Sequence, residues 1–159
     1  MALVLTSTAF AHQTAMPPRT TCDGANVSPP LAWTGVPADA KSLLLIVDDP
    51  DAPDPDAPQR VWVHWLLYNL PVTCSGLAEG VLALPPSTLE GSNDWHRVGY
   101  GGPCPPIGQH RYFHTLYALD LALPDLHQPD KAALVQAMQG HVLAQAELIG
   151  LYQRGTAKL

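Results

Sequence analysis

Acids, imidazoles and a phenol stand at spacings that can build a binding site. The stretch LLLIVDDPDAPDPDAPQRVWVHW contains DPDAP twice in tandem, at 49–53 and 54–58. Asp49 falls where an apolar run ends, the usual place for a side chain to enter a cleft. His64 follows in VWVHW, and His110 and Tyr112 share HRY. Imidazole and phenol groups donate hydrogen bonds, and a carboxylate can fix the tautomer of an imidazole. Other chemistries compete. Asp49, Asp51, Asp54 and Asp56 offer oxygens to a cation. However, a calcium loop counted from Asp49 needs Gly sixth and Glu twelfth, and has Asp54 and Arg60 there. Cys104 with His110 or His114 is the residue pair of a Cys/His hydrolase. Pro105 and Pro106 follow Cys104, so no helix begins there to lower its thiol pKa. No G-x-S-x-G elbow is present. His114 reads as an ordinary partnered strand histidine.

These residues need strands to hold them. The compact run LLLIV at 43–47 reads as a buried strand. VWVHWLLYNLP, 61–71, and HRYFHTLYALDL, 110–121, are rich in β-branched and aromatic residues and read as strands. Alternation places Trp62, His64, Leu66 and Tyr68 on one face of the second. It places His110, Tyr112, His114, Leu116 and Ala118 on one face of the third. Residues 3–10 read as a first strand and 81–84 as a short one, with Pro/Gly-rich loops over 17–37 and 98–109. From Pro129 onward, Ala, Leu, Gln and Met predominate, and Leu134, Met138 and Val142 recur at i, i+4. That pattern predicts a C-terminal helix broken at most by Gly140 and Gly150. The expectation is a mainly β single domain over 1–159 with a C-terminal helix.

Composition narrows the function. Of 159 residues, 47% are hydrophobic and 14% charged, with a net charge of −6, so a core is affordable without staples. Eight scattered Lys and Arg form no basic patch, which argues against nucleic acid. No segment is long and apolar enough for a membrane span. Three cysteines match no metal knuckle, and the default is free thiols in a reducing compartment. The start MALVLTSTAFAHQTAMP holds an Ala9-Phe10-Ala11 tripeptide but no basic n-region, so we expect a cytoplasmic protein, with periplasmic as the alternative.

DPDAP after an apolar strand, VWVHWLLYNLP and GYGGPCPPIGQHRYFHTLYALD together resemble the phosphatidylethanolamine-binding (PEBP), or Raf kinase inhibitor-like, family. TTCDGANVSPPLAW and the compact length resemble its bacterial YbhB/YbcL-type branch. The resemblance runs from about residue 3 to 153. It implies a β-sandwich of two antiparallel sheets in a Greek-key arrangement with short helices. It also implies a small pocket for anionic or phosphorylated groups. With neither an activated nucleophile nor a complete metal-ligand set in the sequence, we expect binding without catalysis, metal or cofactor. Carried onto this chain, the pocket uses Asp49, Asp51, Pro53, Trp62, His64, Gly102, Pro103, His110 and Tyr112. Pro105 and Pro106 are placed less firmly.

An anion needs donors, which two imidazoles, Tyr112 and loop N–H groups can supply. Asp49 would repel it, so we expect Asp49 to hydrogen-bond a pocket histidine and favour its protonated form. The first DPDAP should carry this role and the second should be spacer. Cys22 and Cys104 lie in loops that can meet at the pocket mouth as a disulfide or redox-sensitive pair. Partners implied by the family include a kinase or protease inhibited through the pocket region. Exposed strand edges can support a homodimer.

Overall fold

Five consecutive apolar residues, Leu43–Val47, mark the centre of the molecule. In the computed structural model, which describes residues 2–155, they lie in β4 (Ser42–Ala52). Leu43, Leu45 and Val47 face one core, Leu44 and Ile46 another, and none is more than 2% exposed. A strand buried on both faces reads as a continuous apolar run rather than an alternating one. The outermost residues of the domain expected over 1–159 lie outside the described residues.

The other elements are β1 (Val4–Thr6), β2 (Thr14–Ala15), β3 (Leu31–Thr34), β5 (Arg60–Leu70), β6 (Gly76–Leu77), β7 (Leu89–Glu90), β8 (His110–Leu119), α1 (Lys131–Met138) and β9 (Val142–Tyr152). A six-stranded sheet runs β2-β9-β8-β4-β5-β7, and a three-stranded sheet runs β1-β3-β6. The pairs are antiparallel except the short β2–β9 contact. Leu5, Leu31, Trp33 and Leu77 of the small sheet share a core with Leu45, Trp65 and Leu116 of the large one. α1 covers the opposite face through Leu134 and Met138. The molecule is therefore a mainly β sandwich of two sheets with a helix on its outer face.

The long C-terminal helix is corrected. Asp130 caps α1 by accepting from the Ala133 N–H at 2.9 Å, but the helix stops at Met138. Gly140 takes φ +83, which turns the chain, and β9 then pairs with β8 along its whole length. Val142 does not extend the helical stripe; it is 41% exposed. Helix propensity is a weak preference, and ladder hydrogen bonds with burial of Ala146, Leu148 and Tyr152 override it. Two further expectations change. The first strand is confined to Val4–Thr6, although Phe10 is also buried. No strand forms at 81–84, where Leu82 is fully exposed; the short strands are β6 and β7 instead.

One irregularity matters for function. Val47 pairs with Trp65 and Asp48 with Val63, leaving His64 without a partner on β4. This one-residue bulge breaks the expected alternation. Val63, Leu66 and Tyr68 enter the core under α1, and Trp65 and Leu67 enter the core between the sheets. His64 turns with Trp65 and sets its ring against Tyr112, centroids 5.2 Å apart. Bulges commonly re-aim a side chain beside a site.

Candidate functional site

The β4–β8 ladder ends at Asp48–Phe113. Beyond it, side chains replace backbone pairing. Asp49 Oδ2 lies 2.6 Å from His110 Nδ1, and its Oδ1 accepts the Asp51 N–H at 2.7 Å. The Asp51 carboxylate then accepts the Arg111 N–H at 2.9 Å and both arms of its guanidinium at 2.9 and 3.0 Å. Asp49 is 3% exposed and His110 1%. Burial raises the Asp49 pKa, against the opposing hydrogen bond from His110. The hydrogen bonds from Arg111 hold Asp51 below the usual carboxylate value.

His110 Nε2 faces the Ile107 carbonyl at 2.8 Å and the Pro53 carbonyl at 3.2 Å. Both ring nitrogens are therefore occupied by oxygens, and neither is left for a ligand. His110 thereby ties β4 to the loop before β8.

A cavity of about 470 Å³ opens beside this pair. Of the residues singled out in the sequence, Asp49, Pro53, Trp62, His64, His110 and Tyr112 line it. Asp51, Gly102 and Pro103 do not. Asp51 is committed to Arg111. The Pro103 carbonyl accepts the Cys22 N–H at 3.0 Å. Gly102 donates to Asn26 Oδ1 at 2.8 Å, and a Cβ there would lie 2.3 Å from the Thr20 carbonyl oxygen. These residues shape the wall from behind. Pro105 and Pro106 do line the cavity.

Cys104 also lines it and is bonded to Cys22, so the default of three free thiols is corrected to one, Cys74. A bonded Cys104 has no thiolate to act as the nucleophile weighed for a hydrolase.

Gln59, Arg60 and Trp95 were not foreseen. The Arg60 guanidinium lies 4.5 Å from the centre of the Trp62 ring and 3.2 Å from the Asp94 carboxylate. Trp95 sets its edge against both Trp62 and His64. Asn93 holds the Trp95 loop by accepting the Trp95 N–H at 2.9 Å and donating to the Gly99 carbonyl at 3.0 Å. The Asn-Asp-Trp turn signal was present in the sequence, but nothing local said where the turn would dock.

His64 Nδ1 lies 2.6 Å from the Gly101 carbonyl, and burial lowers the ring's pKa to about 4. Burial lowers the pKa of His114, enclosed in the core, to about 4 as well. A histidine depressed from 6.5 to about 4 on folding stabilises the fold fully above about pH 6.5. That stability is lost as the pH falls toward about 4. Each contributes about 3 kcal/mol over this window. Denaturant unfolding at pH 7.5, 6, 5 and 4.5 should show a steep loss, roughly halved in slope by His114→Phe. A flat profile contradicts this.

The second DPDAP repeats the turn of the first: Asp54 Oδ1 accepts the Asp56 N–H at 2.9 Å. Among the described residues no histidine meets it, and Asp54 does not line the cavity. Asp54→Ala should change stability and anion affinity by less than about 0.5 kcal/mol, read by unfolding and titration. A loss equal to that of Asp49→Ala would make the tandem one acidic unit. Among the described residues, no three His, Cys, Asp or Glu side chains converge as a metal site. Likewise, no helix there is long and apolar enough to cross a membrane.

The chain is similar to known proteins over nearly its whole length. The family model for phosphatidylethanolamine-binding protein matches residues 6–153. A UPF0098 protein of Methanothermobacter thermautotrophicus is 51% identical over 150 residues, covering 92% of this chain and 96% of the relative. The crystal structure of a putative PEBP homologue, CT736 of Chlamydia trachomatis, superposes with a TM-score of 0.90. It is 43% identical over 97% of this chain and 99% of that one. YbcL of E. coli, described as a member of the mammalian PEBP family, gives a TM-score of 0.87 at 28% identity, covering 98% of this chain and 100% of YbcL. A family model matching almost end to end, joined to relatives of this identity, means that the chain belongs to the phosphatidylethanolamine-binding protein family.

Proposed function

We propose that the chain is a non-catalytic binding protein for a small anionic, phosphate-bearing ligand held in the cavity between β4, β5 and β8. The observation that carries this reading is Tyr112. It is 1% exposed and lines the cavity, and its hydroxyl has no hydrogen-bond partner among the described residues. Burial raises its pKa, so the hydroxyl keeps its proton and donates. Arg60 adds positive charge at the rim. On the same cavity, the Trp62 Nε1–H is a buried donor without a partner among the described residues, which is costly unless a ligand completes it. Binding without turnover fits a site whose cysteine is bonded and whose second histidine is fully engaged. The Cys22–Cys104 bond favours an oxidising compartment, the periplasmic alternative.

Trp62 and Trp95 report on the cavity. Titrating inorganic phosphate or phosphoethanolamine should give a saturable change in tryptophan emission. Tyr112→Phe should weaken it roughly tenfold, the worth of one buried hydrogen bond. No saturable response from the unmodified protein would overturn the reading.

A further inference from the structure

The ring of His64 sets a condition on what the cavity can hold. Its Nδ1 is 2.6 Å from the Gly101 carbonyl, an acceptor, so Nδ1 carries the hydrogen. In the neutral ring, Nε2 is then a bare lone pair, and His64 lines the cavity. The groups around it do not change this. From β4 comes Asp49, tied to His110. From β8 come Tyr112, a donor, His110, whose nitrogens are both engaged, and His114, enclosed behind them. From the loop before Gly101 come Trp95 and Asp94. Arg60, also on the lining, is shared with the Asp94 carboxylate. A fully ionised phosphate would press its oxygens against that lone pair, with the Asp49 carboxyl group on the same wall.

We infer that the cavity takes its anion together with one proton, and therefore selects hydrogen-phosphate groups of the phosphomonoester type over phosphodiesters. This rests on the anion-binding reading above. A proton between His64 Nε2 and a ligand oxygen turns that repulsion into a hydrogen bond. A phosphomonoester supplies it readily, because its second ionisation lies at about pH 6. A phosphodiester has no such proton, so the ring must take one from water. Burial opposes that step by holding the ring's pKa at about 4.

The test is calorimetric titration of the whole protein with methyl phosphate and dimethyl phosphate, in phosphate-free buffers of different ionisation enthalpy. At pH 8, methyl phosphate should bind with uptake of about one proton, and at pH 5 with about none. Its affinity should fall about tenfold per pH unit above pH 7. Dimethyl phosphate should bind at least about tenfold more weakly at pH 7. His64→Asn, which offers an amide N–H in place of the lone pair, should abolish the uptake and close the gap between the two esters. Binding of methyl phosphate without proton uptake, or equal affinity for both esters at pH 7, overturns the inference while leaving anion binding intact. Binding of neither ester overturns both. The proton count on the unmodified protein decides the matter even if His64→Asn fails to fold.

Discussion

Asp49→Ala should destabilise the fold by about 2–5 kcal/mol, the cost of leaving two buried hydrogen-bonding groups without their partner. Asp49 does two jobs at once. One oxygen meets His110 at 2.6 Å, and the other accepts the Asp51 N–H at 2.7 Å. Alanine leaves His110 Nδ1 facing nothing in a site where the ring is 1% exposed. It also frees the turn that aims Asp51 at Arg111. Asp49→Asn keeps the side-chain carbonyl for that turn and sets an amide N–H against His110 in place of the second oxygen, so it should cost less, about 1–3 kcal/mol. Chemical denaturation at pH 7.5 reads both. Phosphate affinity should fall with them, because His110 positions the loop carrying Ile107 and the cavity-lining prolines. An alanine variant within about 0.5 kcal/mol of the unmodified protein would show that β4 and β8 are not joined through this pair.

Breaking the Cys22–Cys104 bond is the second large effect. The two cysteines are 82 residues apart in the chain. Closing a loop of that size restricts the unfolded chain, and the bond should contribute about 2–5 kcal/mol. It also ties the Pro103–Gln109 loop, one wall of the cavity, to the segment after Thr20, alongside the Cys22 N–H to Pro103 bond. Reductant, or the double substitution Cys22→Ser with Cys104→Ser, should lower unfolding stability by this amount. Thiol titration should count one free cysteine before reduction and three after. Three free thiols in the untreated protein, or unchanged stability on reduction, would contradict the assignment.

What the sequence disclosed was whatever depends on local pattern. The apolar run at 43–47 named the central strand, and two-residue alternation in β8 placed His110 and Tyr112 on one inward face. The tandem DPDAP was also legible in its asymmetry, because only the first copy abuts the buried strand. Pairing between distant segments was not legible. The bulge at His64 depends on the register of β5 against β4, which no window of β5 contains. Asp51 looked equivalent to Asp49 until Arg111 met it across the end of the β8 ladder. Trp95 sits in a loop with no periodicity to aim it. The β9 segment carries a helical signature because Ala, Gln, Leu and Glu favour that state. The polar/apolar alternation of Gln145, Ala146, Glu147 and Leu148 was there to be seen, but pairing with β8 was needed to make it decisive.

The most direct test of the whole account is a crystal structure of the protein grown with saturating phosphate at pH 6. One anion should lie in the cavity, with oxygens at hydrogen-bond distance, about 2.6–3.2 Å, from Tyr112 Oη and His64 Nε2. The His110 ring should remain bonded to Asp49 and the Ile107 carbonyl. A cavity that stays empty of anion while Tyr112 and His64 remain unpartnered would contradict it.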